Sequence, residues 1–266
     1  MSKTLPDQIA DLLIALIFIG DIPAGSKLPP ERQLAEYLHV DRTSLRMALR
    51  TIGRMNAIES VQGSGIKVGD IHNDMGLDFL DNLYRIPELE LGGTVLLAGL
   101  ELFNRGIPTA LRVAMEKHRA SVKNNTYAKI PNIMAAMYET YLLPKAAERL
   151  AELEVELIDT VIAATDNLVL KASATSSRRI RLLLSTRLYE MIDVKKHLDY
   201  QAQMMARSLS EDLDMGAYIG DYQRYIDGLT QVLHEHLKTI PAEPKLRYSP
   251  LHNGLNIVSL RPLLYR

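Results

Sequence analysis

The chain has no cysteine among its 266 residues, which excludes disulfides, thiol catalysis and cysteine zinc sites. It also lacks an excess of charge of either sign. Its 31 Lys and Arg stand against 32 Asp and Glu, so no global field draws it to nucleic acid or to a membrane surface. Residues 1 to 70 are balanced too, with eight basic and eight acidic side chains, and any affinity of that part for a polyanion must come from local arrangement. Long apolar runs are missing. The longest near the start, Leu12 to Ile19, falls far short of the ~20 residues a membrane span needs. Its acidic flanks, Asp11 and Asp21, and the single preceding Lys3 do not suit a signal peptide. It reads as a buried helix of a cytoplasmic protein. No nucleophile and base pair, phosphate-cradling loop or metal-ligand cluster is visible, which argues against an enzyme and against a bound metal or cofactor.

What is present is 47% apolar residues in a chain long enough for two domains. The most pointed local arrangement lies between Gly20 and Val68. Arginines stand at 42, 46, 50 and 54, with no acidic residue from 42 to 58. On a helix, each four-residue step drifts only about 40°, so the four guanidinium groups form one slowly spiralling stripe. Leu45, Ala48, Leu49, Ile52 and Met55 fall on the opposite side and supply an apolar face. A helix held by one face with arginines on the other is what reading a major groove requires, and equally what a solvated amphipathic helix looks like.

The neighbours of this helix decide between the two. A first helix spans residues 6 to 19, one side made apolar by Ile9, Leu12, Leu13, Leu16 and Ile17, and stops at Gly20. After a turn at residues 21 to 26, a second helix starts behind Pro29 and Pro30 and buries Leu34, Ala35 and Leu38. His39 and Val40 make a short turn, and Asp41 is placed to cap the arginine helix. Two short helices joined in this way form a helix-turn-helix. Beyond Asn56, two β-like runs flank Gln62-Gly63-Ser64-Gly65 and read as a hairpin, or wing.

Together, Gly20-x-x-x-x-Gly25-x-x-Leu28-Pro29-x-Glu31-Arg32-x-Leu34-Ala35, then Arg42-Thr43-Ser44-x-Arg46-x-Ala48-Leu49 and the Gly63-x-Gly65 turn resemble the winged-helix domain of GntR-family bacterial transcription regulators. The resemblance covers about fifty residues in order. It implies DNA contacts by Arg32 ahead of the reading helix, by Arg42, Thr43, Ser44 and Arg46 at its N-terminal end, and by Gln62 and Gly63 in the wing. The chemistry fits: arginine grips guanine bidentately, hydroxyls suit phosphates, and glycine lets backbone approach a groove. Arg50 and Arg54 lie beyond the turns that reach base edges, and either touch phosphate or solvate the helix. His39 stands where the family's turn carries glycine, and Pro30 where it carries a capping serine.

A short polar linker runs from Asp70 to Asp74, and beyond it the composition shifts. No glycine occurs between Ile107 and Met215, and Pro108, Pro131 and Pro144 sit where helix breaks are expected. Leu150, Leu153, Leu157, Val161, Ala164 and Leu168 repeat at three and four residues, as do Leu184, Leu188, Met191 and Ile192. The expected fold class is therefore mainly α: a winged helix over 1–70, an all-helical unit of six or seven helices over 71–240, and a proline-containing extension over 241–266. The extension carries four prolines and two apolar clusters, Leu255 to Val258 and Leu263 to Tyr265, and is expected to pack on the helical domain or on a partner subunit.

An all-helical second domain resembles the FadR branch of the family, and Gly76 to Arg85 is similar to that branch's linker region. In the branch's metal-dependent, carboxylate-sensing members an Asp is followed four residues on by a metal-binding His; here Asp166 is followed by Leu170. The resemblance thus implies the metal-free, acyl-CoA-binding kind of member, with the metal-dependent kind or a constitutive DNA-binding protein as alternatives. Arg224 and Tyr225 fall near that member's cofactor-binding helix and are the expected ligand contacts, although Ile226 and Leu233 depart from its pattern. His234 and His236 point about 200° apart on a helix and cannot share an ion. Tyr138, Tyr141, Tyr189 and Tyr200 either line a cavity or fill a core. As a whole the resemblance implies a homodimer that places two reading helices on a palindromic operator, with a small-molecule effector shifting the population between arrangements.

Overall fold

The computed structural model describes residues 3–120, 128–255 and 263–264, side chains at 118–120 excepted. Asn256, Ile257, Val258 and Tyr265 of the tail's apolar clusters, and the His118 side chain, lie outside the described residues. The chain divides into two compact units, one made of 1–92 with 241–266 and one of 93–240. No helix among the described residues is long and apolar enough to cross a membrane.

The first unit begins with α1 (Leu5–Phe18), entered through Thr4, whose backbone N–H donates to Asp7 Oδ2 at 3.2 Å. Every residue from Leu12 to Ile17 is at most 3% exposed, so α1 is covered on all sides and not on one face alone. The helix-turn-helix elements α2 (Glu31–Leu38) and α3 (Arg42–Arg54) provide part of that cover, α3 packing directly on α1. Short α4 (Leu77–Leu83) provides more, burying Phe79 and Leu83 in the same core. The wing is a three-stranded antiparallel sheet in the order β1-β3-β2, with β1 at Lys27–Leu28, β2 at Ile58–Val61 and β3 at Gly65–Val68.

Residues 71–92, assigned on sequence to the helical half, pack with this unit, because Phe79, Leu83, Ile86 and Leu89 all enter its core. The segment Asp70 to Asp74 is folded into a turn in which His72 N and Asn73 Nδ2 both donate to the Asp70 carboxylate at 2.8 Å.

The tail was expected on the helical domain or a partner; it completes the winged helix instead. Strand β4 (Leu89–Glu90) pairs antiparallel with β5 (Lys245–Leu246), and Leu246, Leu251 and Leu264 join the α1 core. Asn253 Nδ2 donates 2.8 Å to the Leu38 carbonyl at the end of α2, and His252 N donates 3.2 Å to Gln8 Oε1. Gly92 lies where the chain leaves the unit, at φ 79°, and a Cβ there would come within 2.5 Å of the Ala242 carbonyl oxygen. Only glycine admits both that conformation and that approach.

The second unit consists of α5 (Gly93–Ala120), α6 (Ile130–Thr140), α7 (Ala147–Ala164), α8 (Leu168–Ser176), α9 (Arg178–Tyr189), α10 (Val194–Ser208) and α11 (Met215–Lys238). Helix α7 packs on α5, α6, α8 and α9. Two expectations fail locally. Pro108 lies inside α5 rather than at a break. Proline cannot donate to the carbonyl four residues back, and that carbonyl, of Asn104, accepts instead from Gln223 Nε2 at 3.2 Å. Leu168 does not continue the apolar stripe: α7 ends at Ala164, Asp166 turns the chain at φ 47°, and Leu168 starts α8 at 81% exposure.

Candidate nucleic-acid interface and helical cavity

The first turn of α3 is fixed by Asp41, whose Oδ1 accepts from Ser44 N at 2.9 Å. Those hydrogen bonds hold the exposed Asp41 carboxyl below its ordinary range, so the cap stays charged at neutral pH. The turn before it needs a left-handed residue, and His39 supplies it at φ 53°, ψ 46°. This explains why glycine is usual there. Pro30 at the start of α2 offers no side-chain cap.

Leu45, Ala48, Leu49 and Ile52 are buried against α1 and α2, while Arg42, Arg46, Arg50 and Arg54 are exposed. Between α3 and the wing lies a groove of about 940 Å³ whose lining includes Glu31, Arg46, Arg50, Ser60 and Lys67. Gln62 and Gly63 are exposed at the wing tip, where Gly63 and Gly65 adopt φ 75° and 92° and Ser64 N closes the turn on the Val61 carbonyl at 2.9 Å. Arg42, Thr43, Ser44 and Arg46 thus share the first two turns of α3, and Arg32 is exposed on the first turn of α2.

Two of these arginines face acidic neighbours. Arg46 Nε donates to Glu31 Oε2 at 2.6 Å, and Arg32 Nε stands 3.9 Å from Glu36 Oε1. The first pair joins residues fifteen apart in sequence, beyond the reach of any helical spacing rule. All four side chains keep contact with solvent, so these pairs hold the arginines only weakly.

In the helical unit a buried polar cluster surrounds Glu154. Gln201 Nε2 donates to its Oε2 at 2.9 Å and the Tyr189 hydroxyl at 3.1 Å, while His197 Nε2 stands 3.9 Å away, an ion-pair distance rather than a hydrogen bond. Burial alone would raise this carboxyl; His197, Gln201 and Tyr189 outweigh it and hold the group below its ordinary range. On the far side His197 Nδ1 meets the Tyr225 hydroxyl at 2.9 Å, and the Tyr225 ring stacks on Tyr200 with centroids 3.5 Å apart.

Glu154 and Gln201 line a cavity of about 120 Å³; Tyr225, Tyr200 and His197 line a separate depression of about 590 Å³. The two expected ligand contacts therefore part company. Tyr225 reaches the depression, whereas Arg224 is 75% exposed, bonded to Asp221 at 2.5 Å, and lines neither. Of the four tyrosines singled out, Tyr189 is core with its hydroxyl on Glu154, and Tyr138 donates to Asp199 at 2.9 Å with Tyr141 edge-on to its ring. Glu154 was missed, yet it left a signal: it falls on the same helical face as Leu150, Leu157, Ile158 and Val161.

Asp166 lies outside α8, Leu170 offers no donor, and among the described residues no three His, Cys, Asp or Glu side chains are gathered to hold an ion.

A capped helix presenting arginines beside a glycine-turned wing, on a core of three helices, defines a winged helix-turn-helix domain. Residues 5–68 match the family described as "Bacterial regulatory proteins, gntR family". The chain is 32% identical over 117 residues, 44% of its length and 48% of the relative, to the "HTH-type transcriptional regulator Mce2R" of Mycobacterium tuberculosis. It is 28% identical over 155 residues, 58% of this chain and 60% of the relative, to the "Fatty acid metabolism regulator protein" of Shewanella frigidimarina. The chain thus spans about half the length of the curated relatives it matches. A solved structure described as "Lar controls the expression of the Listeria monocytogenes agr system and mediates virulence" shares the fold with TM-score 0.50, at 16% identity over 89% of this chain and 98% of that one.

Proposed function

We propose that the protein is a transcription regulator, without catalytic activity of its own, that binds a palindromic operator in double-stranded DNA as a homodimer and whose operator affinity is set by a small-molecule effector held in the helical unit. The observation that carries the DNA half is the exposure of Arg42, Thr43 and Arg46, with Ser44 half-buried between them, on the capped first turns of α3 beside the open groove to the wing. Two such helices on a symmetric dimer meet half-sites about 34–36 Å apart. The support for dimerisation is the exposure of Leu102 on α5 and Val232 on α11, at 60% and 44%, apolar surface that a partner would cover.

Selection from a random duplex library, followed by footprinting, tests this reading. The expected product is a two-half-site palindrome that the Arg42→Ala, Arg46→Ala double variant no longer protects. Unchanged binding by the double variant would refute it.

For the effector, the name of the Shewanella relative directs attention to fatty-acid metabolism, and an acyl-CoA or related metabolite is the class the resemblance implies. An acyl-CoA carries phosphates, and no Arg or Lys lines the cavity beside Glu154 to meet them. A smaller metabolite suits that cavity better. A thermal-shift screen of acyl-CoAs, small carboxylates, small amines and divalent metals decides the class, since an effector stabilises the native state in proportion to its affinity. A screen without any stabilising compound would leave a constitutive DNA-binding protein.

A further inference from the structure

The cavity of about 120 Å³ in the helical unit has walls of one kind and a floor of another. Ile107 and Met115 from α5, Met134 from α6, Ile158 and Val161 from α7 and Met204 from α10 make the walls apolar. The polar groups are few: Glu154 and Gln201, and the hydroxyls of Ser208, Tyr218 and Tyr222, of which those of Ser208 and Tyr218 already donate to the Met205 and Met204 carbonyls. Glu154 is 6% exposed and ionised, for the reasons given by its neighbours. Gln201 is 8% exposed and turns its amide nitrogen to that carboxylate, which leaves its Oε1 buried without a donor. Tyr222 also lines the cavity, and its hydroxyl bonds to none of the described residues. No Arg, Lys or His lines the space.

A buried anion and an unmet carbonyl beside it repel an anionic ligand and attract donors, the more strongly for being out of water. We infer that this cavity binds a short-chain primary amine, its ammonium seated between the Glu154 carboxylate and Gln201 Oε1 and its alkyl chain among the methionine and isoleucine walls. The ammonium supplies three donors, which matches a carboxylate, an amide carbonyl and a phenol oxygen. Size limits the chain. A cavity of roughly 150 Å³ takes a six-carbon ring, so this one takes about five heavy atoms. Four methionines, Met115, Met134, Met204 and Met205, line it with flexible, polarisable groups that accommodate such a chain closely. This assignment rests on the reading of the helical unit as the sensing half, and it replaces the carboxylate and acyl-CoA classes with a cationic one.

The test uses the full chain with methyl-labelled methionine and three probes of about five heavy atoms: n-butylamine, 1-butanol and propionate. Titration followed by NMR should shift the Met115, Met134, Met204 and Met205 methyls, with n-butylamine binding at least tenfold more tightly than propionate and 1-butanol in between. Glu154→Gln should bring the amine to within about twofold of the alcohol. Because that replacement also disturbs Tyr189 and His197, Ala110→Leu, which fills the cavity without touching Glu154, should abolish binding of all three probes. Propionate binding as tightly as the amine, or amine affinity unchanged in both variants, would overturn the assignment. Amine binding that shifts the methyls yet leaves operator affinity within twofold would keep the ligand class and sink the sensing role. An operator response to a compound that leaves the methyls unmoved would sink the assignment and keep the sensing role.

Discussion

Replacing Arg46 tests how the domain reads DNA, and Glu31 makes the test quantitative. In the free protein Arg46 Nε is bonded to Glu31 Oε2 at 2.6 Å, with side chains 56% and 33% exposed. A pair this wet is worth about 0.2–1 kcal/mol. A bidentate grip on guanine is worth about 1–3 kcal/mol, so a guanine within reach would win the competition for the guanidinium. Arg46→Ala should then weaken binding to a selected operator by about 5- to 150-fold while leaving an unrelated duplex nearly unaffected. Glu31→Gln should tighten operator binding by about 1.4- to 5-fold, because it frees Arg46 and removes a carboxylate from the groove. Fluorescence anisotropy with both duplexes at several salt concentrations measures all of this. If Arg46→Ala instead weakens both duplexes equally and reduces the salt slope by about one, Arg46 holds a phosphate and base reading by this residue is refuted.

Leu251, 2% exposed in the winged-helix core, should cost about 2–5 kcal/mol when replaced by Ala, a loss of roughly 8–20 °C in melting of the first unit at about 4 °C per kcal/mol; calorimetry showing a shift under about 2 °C would mean the tail is not part of that core. Gly92→Ala should lose clearly more in urea denaturation than Gly25→Ala: both positions carry the left-handed penalty of about 1–2 kcal/mol, but only at Gly92 does the new Cβ meet backbone, at 2.5 Å. Equal losses would rule out the close approach. Asp11 is pushed up from 3.8 by burial, against the opposing pull of its Lys3 partner. A raised acid pKa means that its contribution is fully present below about 3.8 and is lost as pH rises through the folded value. Asp11→Asn should therefore gain on the parent protein as pH rises above about 3.8 and level off once the pH passes the folded value, read in melting curves; a difference that is flat throughout or falls with pH contradicts the burial argument.

The winged helix was legible because its determinants are local. Pro30, His39, Asp41 and the wing glycines act on their own backbone, and the α3 face repeats every three or four residues. The tail was not, since its partners are as far off as the Leu38 carbonyl, 215 residues from Asn253. The break expected at Pro108 failed for a related reason: the orphaned Asn104 carbonyl is rescued by Gln223, on a helix more than a hundred residues later. Leu168 shows the opposite error, a periodic pattern carried past a turn at Asp166 that only the backbone reveals. In the helical unit, resemblance directed attention to Arg224, which turned out to be a surface residue paired with Asp221. A charge inside an apolar stripe, Glu154, marked the interior more reliably.

The core that α1 shares with the tail also sets a clock. During synthesis the apolar run of α1 emerges first, and Leu251, which helps to cover it, follows roughly 230 residues later, about 12–45 s at ordinary ribosome speeds of about 5–20 residues per second. For that interval the nascent chain carries an apolar helix whose cover is unfinished, while the whole helical unit is being made. The unit that carries the arginine helix is thus finished only after the helical unit has been made.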